Sequence, residues 1–141
     1  MYPQEGKAKM DYSFQVSTPP NTPKDKAIQT EMELTEGIIT YVWMLHPRGC
    51  HGVAHATISD GLSQIWPTNK DADYAGNGVP IEFQAAYRLL PPAKLWLITW
   101  NTSTLFDHSI FVHIVVEPEE QALPYKALLD FIAVLKKLVG L

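Results

Sequence analysis

As far as residue 118, proline, glycine, asparagine or aspartate interrupts the apolar patterning of this chain every ~8–15 residues. Runs that short suit β-strands, which are mostly ~5–6 residues long, better than they suit helices. Eleven prolines and eight glycines in 141 residues would be unusual in a helical bundle. They fit many short strands joined by turns.

The runs themselves alternate. Over residues 11–17, Tyr12, Phe14 and Val16 share one face, and Ser13, Gln15 and Ser17 the other, the pattern of a half-buried strand. Pro19, Pro20 and Pro23 follow and cannot join a sheet interior, so an extended arm is expected there. That arm and the strand before it are expected to pack on a neighbouring chain. Residues 27–34 read as a strand with Ile28, Met32 and Leu34 inward. Residues 38–45 are the strongest strand, with Ile39, Tyr41, Trp43 and Leu45 on one face and Ile38, Val42 and Met44 on the other. Two apolar faces imply a central strand covered on both sides.

Residues 53–59 and 62–66 form two further runs around Asp60-Gly61, a strong hairpin signal. Residues 67–79 read as a long polar loop, and residues 80–83 as a short strand. Residues 84–90 fit a strand or a helical turn equally well. Residues 94–101 place Leu95 and Leu97 on one face and Trp96, Ile98 and Trp100 on the other. The last strand, residues 108–116, points Ile110, Val112, Ile114 and Val116 inward and Phe111, His113 and Val115 outward. The expected fold is mainly β: an antiparallel β-sandwich of Greek-key or jelly-roll type, about 8 strands, with one C-terminal α-helix.

After the acidic turn Glu117-Pro118-Glu119-Glu120 the period changes. Pro124 suits the first turn of a helix and Gly140 its C-terminal cap. Leu128, Phe131, Leu135 and Leu138 follow 3-4-3 spacing, the pattern of a helical seam. With Ile132 and others they spread the apolar stripe over nearly all sides. Such a helix has to be covered, either by its own sandwich or by another copy or partner. Two heptads are too short to hold a coiled coil unaided. Two or three lysines are too few for a helix lying on a membrane. Three segments result: an N-terminal strand and proline-rich arm over residues 1–26, a β-sandwich domain over 27–118, and an amphipathic helix over 119–141.

Charge narrows the partners. Eleven basic against fifteen acidic residues leave a net charge of −4, opposite to the basic footprint of a nucleic-acid binder. No run of ~18 apolar residues spans a membrane, and the first residues have no apolar core to make a signal peptide. The single cysteine, Cys50, excludes an intrachain disulfide.

Catalytic and metal signals are weak. His51 and His55 are four apart on or beside a strand, roughly 13 Å by strand geometry, and His108 and His113 face opposite sides of theirs. A jelly roll could still bring His51, His55 and His113 together as metal ligands. Asn69, Asp71 and Asp73 alternate as in a calcium loop, without the closing glutamate. Cys50 lies near His46 and His51 in sequence only. No phosphate-binding glycine loop or nucleophile elbow occurs. The expectation is no catalytic residue, metal or cofactor. Of the tryptophans, Trp66 and Trp100 are the candidate ligand-facing aromatics of a carbohydrate-binding module. Candidate interface residues are Leu128, Phe131, Ile132, Leu135, Leu138 and Phe111.

Five segments carry a resemblance: Leu34-Thr35-Glu36-Gly37-Ile38-Ile39, Pro47-Arg48-Gly49-Cys50-His51-Gly52-Val53-Ala54-His55, Gln64-Ile65-Trp66-Pro67-Thr68-Asn69, Ile81-Glu82-Phe83, and Trp100-Asn101-Thr102-Ser103-Thr104-Leu105-Phe106-Asp107-His108. The stretch they span, residues 31–117, resembles small structural proteins of tailed bacteriophages and uncultured environmental viruses. The resemblance implies a virion component made in a host cytoplasm, such as a capsid decoration or capsid-associated protein. Its partners would be further copies of itself, three being the expected number, and the major capsid or another virion protein. It implies no catalytic residues.

Overall fold

A computed structural model of the chain describes residues 8–119 and 124–140, the side chains of 124–129 excepted. Nine strands form two antiparallel sheets that face each other across one apolar core. They are β1 (Met10–Thr18), β2 (Ile28–Glu33), β3 (Gly37–Leu45), β4 (Ala54–Ser59), β5 (Gln64–Trp66), β6 (Tyr74–Ala75), β7 (Ile81–Leu89), β8 (Lys94–Asn101) and β9 (His108–Glu117). The first sheet runs β1-β9-β3-β7 and the second β2-β8-β4-β5, with β6 also beside β4.

The register explains this order. Met10 lies opposite Val116, Ile28 opposite Thr99, Gly37 opposite Leu89 and Ile58 opposite Trp66. The chain is therefore one long antiparallel ribbon folded back on itself. Its tip is the Asp60-Gly61 turn, where the Asp60 carboxylate accepts the backbone N–H of Leu62 and of Ser63, both at 2.8 Å. Those bonds hold the Asp60 carboxyl below its usual range. The ribbon rolls up so that β9 meets β3 in one sheet and β8 meets β4 in the other. First pairing last and second pairing second-last is the jelly-roll arrangement, so the fold class expected from the sequence is the one present.

The inward positions follow strand alternation. Val16, Met32, Val42, Met44, Ile58, Leu95, Leu97, Ile110, Val112 and Ile114 are buried in the shared core. Burying one such side chain contributes ~1.5–3 kcal/mol. Residues 81–89 resolve as a single strand with Phe83, Ala85, Tyr87 and Leu89 turned inward.

Three expectations are corrected. The first strand packs on its own chain, paired with β9 at nine successive positions. The proline-rich segment after it carries the chain from one sheet to the other: Thr22 bridges Asn101, and a short 3₁₀ turn over Lys24–Lys26 follows. In β3 a bulge between Ile39 and Tyr41 adds one residue, so Ile39 joins Val42 and Met44 on the core side. Tyr41, Trp43 and Leu45 then face outward and are only half-buried, so the second face of β3 is not fully covered.

Candidate assembly interface

The C-terminal helix, α1 (Pro124–Leu138), starts and stops where local chemistry directs. Pro124 opens the described helix, and a proline is tolerated in a helix's first turn, where an N–H lacks an intrahelical partner. Lys136 and Lys137 occupy the last turn, at the negative end of the helix dipole. Gly140, at φ +78°, follows the helix, and its N–H bonds the Lys137 carbonyl.

Every described side chain from 130 to 140 is exposed. Phe131 is 58% exposed, Leu135 43%, Leu138 77% and Val139 66%, so the sandwich does not cover the helix over these described residues. Ile132, at 39%, is the least exposed of the helix's described large apolar residues. The seam residue Leu128 lies among the side chains outside the description. Where the chain leaves β9, Arg88 Nη2 meets Glu119 Oε1 at 2.6 Å and ties the connection to β7.

Phe111 is half-buried on the outer face of the first sheet, opposite both Leu45 and Gln15. Beside it Trp43 meets the edge of the His113 ring, with centroids 5.0 Å apart. Asp11, Tyr41, Trp43, His113 and Val115 line a shallow hollow of about 230 Å³ on this face. The Tyr41 hydroxyl donates to Glu82 at 2.8 Å, which raises the Tyr41 pKa. The first sheet thus shows an aromatic outer face with acidic groups at its margin.

The candidate ligand-facing tryptophans are both covered. Trp66 is 9% exposed and fills the space between Phe83 and Tyr87, with 5.5 Å between centroids on each side. Trp100 is 5% exposed, stacked on His55 at 5.3 Å and capped by Lys24 Nζ at 5.3 Å. Neither offers the open ring face that a sugar platform requires. The histidines are dispersed. His55 lies on the outer face of the second sheet, its Nδ1 2.7 Å from Asp73 Oδ1. His113 lies on the outer face of the first, and His51 is in the turn before β4. Among the described residues no three histidine, cysteine, aspartate or glutamate side chains are grouped to hold a metal. Cys50 is 2% exposed, and burial pushes its thiol pKa up, away from nucleophilic chemistry.

Sequence reading noted His46 only as a neighbour of Cys50 and missed its burial. This histidine ends the apolar run of β3 and is 0% exposed, with neither ring nitrogen in a hydrogen bond. Burial, reinforced by the nearby His55, lowers its pKa to about 4, while the backbone of Tyr74 and the charge of Asp73 offset part of that. A lone histidine beside Pro47 gives no sign of such burial in the sequence.

Compared with known proteins, the chain matches no family model and no curated protein.

Proposed function

We propose that this chain is a non-enzymatic assembly protein that associates with further copies of itself through its C-terminal helix. Its setting is a viral particle, as a capsid decoration or capsid-associated component. The observation that carries the assembly reading is α1: a 15-residue helix whose described large apolar side chains, from Phe131 to Leu138, stand in solvent. Contiguous exposed apolar surface on this scale marks an interaction site. Phe131, Leu135 and Leu138 keep the spacing of a self-associating seam, and association of the sandwiches adds the area that two heptads lack. Three copies is the proposed number.

The viral setting is supported by the resemblance across residues 31–117 and by the chemistry of shell partners. A decoration protein works through buried contacts with neighbouring subunits, and an acidic chain of pI ≈ 5.7 avoids the packaged genome.

Deleting residues 120–141 tests the assembly reading by light-scattering mass in solution. The full chain is expected as an oligomer and the shortened chain as a smaller species with its sandwich intact. An unchanged mass with a folded sandwich sinks the proposal. Terminase, portal or capsid genes beside the gene support the viral setting, and a neighbourhood of metabolic enzymes overturns it.

A further inference from the structure

Among the described residues, the two sheets leave four boundaries where backbone N–H and C=O groups lack a neighbouring strand. Proteins blunt such boundaries with very short strands or with charges. The second sheet does both. β5 and β6 have three and two residues, and β2 carries Glu31 and Glu33 on one face, which repel a second copy of β2. β1 is long, but turning it antiparallel on itself about Phe14 sets Asp11 against Ser17, with no charge match.

β7 is different. It is nine residues long, contains no proline or lysine, keeps its in-out alternation through the register shift opposite Thr40, and among the described residues has β3 on one side only. Its sequence is complementary to itself. Antiparallel pairing of two copies about Ala85 places Glu82 opposite Arg88, Phe83 opposite Tyr87 and Ile81 opposite Leu89. Opposite residues differ by an even number, so each pair shares a face: the ion pair falls on the outer side and the aromatic pair on the core side. Nearest the axis, Ala85 faces its own copy and Gln84 faces Ala86, so each close pair includes a small side chain. A shallow cleft of about 540 Å³ opens along this strand, lined by Gln84, Ala85 and Ala86 on β7 and by Trp66 and Asn69 across from it. Arg88 is half exposed and uses one guanidinium nitrogen toward Glu119, which leaves other donors for a second carboxylate.

We infer that β7 is a docking edge for a second copy of this chain. Two β7 strands join about a twofold axis at Ala85 and fuse two four-stranded sheets into one of eight. The contact is isologous, so it closes at two copies. It uses a surface separate from α1 and stands whether or not the helix associates.

The test uses the full chain carrying Leu135→Glu and Leu138→Glu, which removes the helix contact, and reads mass by sedimentation equilibrium. This chain is expected to dimerise. Glu82→Arg and Arg88→Glu, each alone, set like charges opposite one another and are expected to weaken the dimer at least tenfold. Both changes together restore the pair and the dimer, although the bond from Tyr41 to Glu82 is still lost. Ala85→Cys adds a reading in the unaltered charge background. Oxidation is expected to give a covalent dimer through residue 85, while Ser13→Cys on β1 gives none; the native Cys50 is buried and takes no part. A monomer in the helix-altered chain, indifference to the single reversals, no rescue by the double reversal in a folded chain, or no 85–85 dimer overturns the inference. The first of these leaves the helix reading standing. If the helix changes do not alter the mass of the wild type, the helix reading fails and the edge pairing is still tested by the reversals.

Discussion

His46 is the residue whose burial most directly controls how the sandwich responds to pH. It is neutral when folded, and burial holds its pKa at about 4. In the unfolded chain a histidine titrates near ~6.5. Between those values the unfolded state binds more protons than the folded one, so stability falls as pH drops through that window and is fully present above it. From pH 7 to pH 5 the expected loss from this one group is about 2 kcal/mol. His46→Leu, which keeps the volume and removes the titration, is expected to flatten the stability profile across that range, measured by urea unfolding at several pH values. An equally steep profile in the variant would assign the pH response to other groups.

The elements show why some of this architecture is legible in the sequence and some is not. Leu95, Leu97 and Trp96 take the faces that alternation predicts because β8 is regular from end to end. Alternation fails at β3, since the single extra residue at Thr40 inverts the face of Ile39 and no local composition marks it. It is ambiguous in β7, where Ala85-Ala86 blurs the period that Phe83, Tyr87 and Leu89 keep. The covering of Trp66 and Trp100 depends on strands far apart in sequence, which periodicity cannot report. The same holds for the join between the proline-rich crossover and the sheets. Asn101, 0% exposed at the end of β8, donates from Nδ2 to the carbonyls of Thr18 and Phe106 and accepts the N–H of Ser103. One side chain thus ties β1, β8 and the loop before β9. Asn101→Ala leaves three backbone groups without these partners; the bond to the Thr18 carbonyl is buried and the other two are partly so, and a buried orphan costs ~1–3 kcal/mol. The expected destabilisation is about 2 kcal/mol by denaturant midpoint at constant slope. A change below ~0.5 kcal/mol would mean that solvent satisfies these groups.

At the scale of the whole molecule, the apolar content is unevenly covered. The jelly roll closes one shared core, as the ribbon topology brings its two halves face to face. Other apolar side chains, on α1, on the aromatic outer face of the first sheet and in loops at Leu62, Val79, Leu105 and Phe106, are covered incompletely. A protein that buries this surface only in company is stabilised by mass action, because association binds the folded chain and not the unfolded one. Its melting temperature is therefore expected to rise with protein concentration over a hundredfold range at neutral pH. Leu135→Glu with Leu138→Glu is expected to reduce that slope while leaving the low-concentration melting temperature near the wild-type value, since these side chains are exposed in the single chain. A melting temperature independent of concentration, read by calorimetry on the full chain, would show that the exposed apolar surface stays in solvent and would remove the ground for self-association.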